Sequence, residues 1–420
     1  MSTNNFRDHL LPADDPRLTD LRGLTVREYA EYATTDRFAG PMIRGWAALY
    51  PQPFHGVTAD GTVVPDLFHL GDVRPGEEAP TKDMVVAAES LLATLDQTSR
   101  ARVSYPVDAH EWRSWANPEF LQHDTGVRLD EMGTATRDAA LALLAATLSP
   151  AGFALARTAM RINGYLGDIV GLPQLMNEFS YNLAIYGEPS PTEPWGWQLF
   201  GHHLALNAVV IGPRLVLTPV FFGAEPNTTD DGDPAGPFGS RIALARAVMA
   251  ALPDDLRDRA VTYRQMVDPA MPEGRLHPGD ERTLAGCFQD NRVIPYEGIR
   301  VTDMTGPAAG LVREIIRDAL SYLPAGPLAA RLREVEDHAQ DTWFSWIGGW
   351  ADPEPFYFRI QSPVLLHELD HHCGVFLDNT EPAPFHIHTT VRTPNAGDYG
   401  KALLARRSPA GTDSTAGEHR

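Results

Sequence analysis

The chain has 420 residues, 43% hydrophobic and 21% charged, an ordinary balance for a globular protein with a large core. Its 35 basic against 55 acidic residues give a formal charge of −20, which excludes the Lys/Arg excess that nucleic acid or an anionic membrane demands. Two cysteines, Cys287 and Cys373, cannot build a disulfide framework, and neither a secretory signal nor an apolar run of membrane-spanning length is readable, so a soluble cytoplasmic protein is expected.

Taken in chain order, residues 1–50 read as a polar leader packed on the body. Residues 51–177 read as helical, with apolar positions at helical spacing over 83–98 and 136–160. Ser149-Pro150 supplies an N-cap and a first-turn proline, which divides the second stretch into two helices. From 178 to 222 the texture turns aromatic and β-branched. SYNLAIYG, WGWQLFGHHLALNAVVIG and RLVLTPVFFG, separated by Gly/Pro turns, predict an antiparallel meander of three strands. A polar loop spans 223–238 and helices return within 239–342.

A second meander is predicted over 343–394: TWFSWIGG, a long strand over 356–377, and FHIHTTVRT. Glu193-Pro194-Trp195-x-Trp197 echoes Glu354-Pro355-Phe356-x-Phe358, so the two meanders read as a duplicated unit whose halves pack together with a polar site between their sheets. The fold expected is α+β, with one catalytic domain over 51–405 and a flexible tail over 406–420.

Five of the fifteen histidines fall between 367 and 388. His367-Glu368-Leu369-Asp370-His371 matches the HExxH pattern, which on a helix binds zinc through its two histidines. On a strand those two are too far apart to share an ion. The strand reading is preferred because FYFRIQ leads in and GVFL leads out. With Leu377 opposite Phe385, Arg392 faces Asp370, and one surface carries Glu368, Asp370, His372, His386, His388 and Arg392. The other surface carries Leu369, Cys373, Val375, Ile387 and Val391. Two histidines at i and i+2 on a strand point the same way, so His386 and His388 can chelate one ion.

LSPAGFALARTAM, WGWQLFGHHLALN and HIHTTVRTPNAGDYG resemble a bacterial and fungal family catalogued as domain of unknown function number three thousand five hundred. The resemblance runs from about residue 85 to Leu404. It places emphasis on Gly201, His202, His203, Glu368, Asp370, His386, His388, Arg392, Asp398 and Tyr399. It also implies an aliphatic residue at His367, which weighs against the zincin reading.

These readings lead to a metal-dependent enzyme acting on a small organic substrate by hydrolysis or hydration. The expected ion is zinc or iron, with copper as a further option, held by His386, His388, Asp370 and His202. Glu368, His372 and Arg392 are expected to be catalytic, with Glu368 as general base and Arg392 as the anchor of a substrate carboxylate or of developing negative charge. Trp195, Trp197, His203, Asp398 and Tyr399 are expected to bind substrate. A non-haem iron or copper oxidoreductase is the first alternative and a non-catalytic ligand-binding protein the second. Neither nucleic acid nor membrane is expected as a partner, and a homo-oligomer is left open.

Overall fold

The computed structural model of the protein describes residues 5–233 and 236–407. Within them the helices are α1 Pro16–Thr19, α2 Val26–Thr35, α3 Ala39–Leu49, α4 Thr81–Ala93, α5 Gln97–Val103, α6 Thr134–Thr147, α7 Pro150–Val170, α8 Gly239–Ala251, α9 Asp254–Ala260, α10 Ala308–Ala319, α11 Ala325–Asp337 and α12 Lys401–Arg407. The strands are β1 Ser104–Tyr105, β2 Val127–Arg128, β3 Tyr181–Tyr186, β4 Trp195–Gly201, β5 Leu204–Ile211, β6 Arg214–Ala224, β7 Val261–Tyr263, β8 Ile299–Arg300, β9 Trp343–Gly348, β10 Phe356–Gln361, β11 Leu366–His371 and β12 Ile387–Arg392. The class is α+β. The tail expected over 406–420 lies, from 408 onward, outside the described residues.

The Ser149-Pro150 signal acts as expected. Ser149 Oγ accepts the Gly152 N–H at 2.9 Å and Pro150 opens α7, which closes at Val170 with Gly171 in the left-handed region. The meanders differ from expectation in two ways. Both stretches read as a single long strand are hairpins. The first turns at His202-His203, where Gly201 pairs with Leu204, and the second turns at 362–365, where Gln361 pairs with Leu366. Ser362 makes the second turn by accepting the N–H groups of Val364 and Leu365.

Nor do the meanders stack as two sheets. Strands β6 and β12 pair antiparallel, so the four-stranded units fuse edge to edge into one sheet ordered β1-β3-β4-β5-β6-β12-β11-β10-β9-β7. The halves repeat the same plan on either side of that seam. Helices α4 and α5 lead into β1, which lies parallel to β3, just as α8 and α9 lead into β7, parallel to β9. Strands β2 and β8 pair antiparallel to β3 and β9, and each is followed by a helix pair. The sequence carries the repeat as Gly126-Val127-Arg128 with Met132, and Gly298-Ile299-Arg300 with Met304. Both glycines have positive φ, and a Cβ at either would fall about 2 Å from a carbonyl oxygen, of Leu183 or of Phe344.

The paired edges leave the two sheet faces to different covers. On one face lie helices: Trp197 Nε1 donates to Thr147 Oγ1 at the end of α6. On the other lie two long irregular segments, 106–126 and 264–298, one from each half. Gln198 Nε2 donates to the carbonyl of Trp112 in the first, and Glu368 and Asp370 accept from residues 282–285 of the second. With both faces covered, every residue of β3, β5, β10, β11 and β12 is buried.

Candidate metal centre

The register of β11 and β12 places Asp370 opposite His388 and Leu366 opposite Arg392. This lies four residues from the register expected by sequence. An even shift keeps parity, so Glu368, Asp370, His388 and Arg392 still share the loop-covered face. His367 and His371 fall on the helix-covered face. His367 Nδ1 contacts the Thr390 carbonyl at 2.9 Å and His371 Nδ1 contacts the Phe356 carbonyl at 2.7 Å. The HExxH pattern therefore sits in a strand, and its histidines serve backbone groups.

Three imidazoles converge at the loop-face end of the central strands. His386 immediately precedes β12 and His388 lies within it, and His203 comes from the β4–β5 turn, where its φ is 60°. Their Nε2 atoms lie 3.1 Å (His203–His388), 3.1 Å (His386–His388) and 3.3 Å (His203–His386) apart, and all three rings are buried. His386 Nδ1 lies 2.5 Å from the Cys373 carbonyl. A carbonyl only accepts, so this nitrogen carries the proton and Nε2 presents a bare lone pair. No placement of protons then satisfies all three Nε2 contacts, because any two Nε2–H groups would point at one another. One cation equidistant from the three nitrogens does satisfy them. Ligand distances of about 2.0–2.1 Å in tetrahedral arrangement separate nitrogens by about 3.3 Å. Among the described residues these three form the group able to hold a metal ion.

The electrostatics suit that role. Burial, reinforced by the neighbouring imidazoles, pushes the pKa values of His203, His386 and His388 well below the usual histidine value, which leaves them neutral and free to donate. Among the described residues, the Nδ1 atoms of His203 and His388 have no hydrogen-bond partner.

Around the triad, several expected site residues take other positions. His202 is not in the triad. Its Nδ1 meets Asn163 Oδ1 at 2.8 Å, and its ring stacks on His203 at 3.9 Å, with burial depressing its pKa to about 3. The His372 ring packs against His388 in a tilted arrangement, with centroids 3.8 Å apart, and lies 3.2 Å from Asp370 Oδ2. Burial opposes its protonation, but the carboxylates of Glu281 and Asp370 outweigh burial and raise its pKa.

Asp370 is committed to the covering segment. Its oxygens accept Arg282 Nε at 2.7 Å and the Arg282 backbone N–H at 3.0 Å. Glu368 is likewise saturated, by the N–H groups of Leu284 and Ala285 at 2.9 Å each and by the Tyr357 hydroxyl at 2.6 Å. A carboxylate holding three donors has little capacity left to serve as a base. Arg392 meets Asp290 and Asp398, at 2.5 and 2.7 Å, rather than Asp370. Asp290 also takes Tyr399 and Arg113, so Arg392, Asp398 and Tyr399 form one buried lattice tying both covering segments to β12. Trp195 and Trp197 are fully buried, and the Trp197 indole bonds to a helix of the opposite face, away from the triad.

One neighbour escaped the sequence reading altogether. Glu225, just past β6, is buried with Oε1 3.8 Å from His386 Nδ1 and accepts the Val375 N–H at 2.9 Å, with the N–H groups of Phe376 and Leu377 also favouring its charged form. Burial lifts its pKa to about 7. Its only sequence signal is an acidic residue followed by proline at the end of an apolar strand.

The family model described as "Protein of unknown function (DUF3500)" matches residues 77–401, most of the chain, and the chain belongs to that family. No curated protein and no solved structure matches it. Among the described residues, no helix is long and apolar enough to cross a membrane.

Proposed function

We propose that this member of the family is a metal-dependent enzyme that hydrolyses or hydrates a small organic molecule, with the ion held by His203, His386 and His388. The observation that carries the reading is the convergence of three neutral, buried Nε2 atoms at spacings an ion explains and protons do not. A three-histidine set that leaves further positions free is the donor pattern of catalytic zinc, which acidifies water and polarises carbonyl groups. The chain contributes the rest. The Cys373 carbonyl orients His386, the rings of His202 and His372 pack against and brace His203 and His388, and Glu225 lies behind His386 on its Nδ1 side. Glu368, Asp370 and Arg392 act as positioning residues that clamp the cover over the site.

Elemental analysis of protein purified without chelator tests this. About one equivalent of a divalent ion is expected, lost in His386→Ala and His388→Ala and kept in His367→Leu. Metal-free wild-type protein that takes up no zinc, iron or copper would overturn it. A redox-active ion would move the assignment to an oxygen-using oxidoreductase, because three imidazoles also serve copper and iron.

A further inference from the structure

His203, His386 and His388 are all buried, so an ion reaches them only when some part of the cover opens. Over His386 that cover is the irregular stretch 372–386 between β11 and β12, which exposes Val375, Asp378, Thr380 and Glu381 on its outer side. Its inner side touches the centre: the Cys373 carbonyl meets His386 Nδ1, and Glu225 accepts the Val375 N–H. Its two ends close on each other, since the His372 N–H donates to the His386 carbonyl at 2.8 Å.

From outside, the stretch is fastened by an arm, residues 6–10. Leu10 forms an antiparallel bridge with Leu377, the Asp378 N–H donates to the His9 carbonyl at 2.8 Å, and His9 Nδ1 lies 2.9 Å from Asp378 Oδ1. Phe6 forms an apolar cluster with Leu377, Ala383 and Phe385 that is separate from the main core, and the His9 ring lies against Phe385 at 5.3 Å. Phe385 directly precedes His386, so the ring next to a triad member takes its packing from the arm. The arm is anchored in turn on α7, where Arg7 Nη2 donates to the Tyr165 hydroxyl at 2.8 Å and Phe6 meets the Tyr165 ring edge-on. An irregular stretch sealed by a small satellite cluster opens at lower free energy than strands covered on both faces.

We propose that the 372–386 stretch is the gate of the triad and that the arm is its latch: release of Phe6 and Leu10 lets the stretch swing out and uncovers His386 first. The inference rests on the metal-dependent reading for the ion that passes, but the latch is testable on metal-free protein. Wild type, Phe6→Ala and protein lacking residues 2–10 are compared. Hydrogen exchange over 373–386 and carbethoxylation of His386 by diethyl pyrocarbonate, followed by mass spectrometry, are expected to accelerate about tenfold or more in both variants. Exchange of β5 and β11 is expected to stay at the wild-type rate, which separates local opening from loss of the fold. With zinc bound, transfer to excess chelator is expected to accelerate by a similar factor while the stoichiometry holds at one. Unchanged exchange and carbethoxylation in both variants, or acceleration shared by β5 and β11, would overturn the latch. Faster opening beside an unchanged rate of zinc loss would overturn the gate, because the ion would then leave by another route. Wild-type protein that takes up no zinc would count against the metal reading alone, since the carbethoxylation rates decide the latch by themselves.

Discussion

His203, His386 and His388 do one kind of work, while the histidines around them do another. Replacing a triad member with alanine is expected to weaken metal binding by roughly a hundredfold or more, because losses in the outer shell alone cost about 10–100-fold. His202→Ala is expected to fall within that outer-shell range, and competition with a graded chelator separates the two classes. His367 lies apart from the centre and makes a separate prediction about acid. Burial depresses its pKa to about 3, so the unfolded chain binds its proton first. Stability from this group is complete above the unfolded value near 6.5 and is lost as pH falls, at about 1.4 kcal/mol per pH unit, until the folded pKa is reached. His367→Leu should therefore reduce the pH slope of urea unfolding between pH 6 and 4 by about one proton. At the lattice, Arg392→Ala would leave Asp290 and Asp398 buried without their shared cation, at a cost of about 3–5 kcal/mol measured by denaturant titration.

At the scale of elements, Glu368 and Asp370 hold the 282–285 segment against β11. Glu368→Gln would set an amide N–H₂ against a backbone donor and is expected to cost about 1–3 kcal/mol. Faster hydrogen exchange in that segment, with metal affinity reduced but not abolished, would separate clamp from ligand. The same elements show what the sequence made legible. The Ser149-Pro150 break was readable because capping is local. The even–odd division of β11 and β12 was readable because a strand alternates its faces whatever its register. The register itself was not, since the irregular stretch 372–386 between these strands admits many closures. Pairing of His386 with His388 followed from i, i+2 spacing, and the His202-His203 pair was a visible source of a further ligand, whereas the choice of His203 over His202 depends on a contact across 183 residues, which leaves no local pattern. The saturation of Glu368 was hidden for the same reason, because its partners belong to a segment without periodicity.

At the scale of the molecule, the seam between β6 and β12 joins two repeats of one plan. A chain cut within 228–233 presents each half with an unpaired strand edge and a large apolar surface, so each is expected to be insoluble when expressed alone. Coexpressed, the halves should copurify as a one-to-one complex that recovers metal binding. Recovery of a soluble metal-loaded fragment from either half by itself would contradict the fused-sheet arrangement. The division of the triad across this seam also bears on biosynthesis. His203 leaves the ribosome well before His386 and His388, and with the first half alone it has no companions to grip an ion. On the proposed assignment, capture of an ion by all three imidazoles would await docking of the last strand, so a bound metal would certify a finished fold.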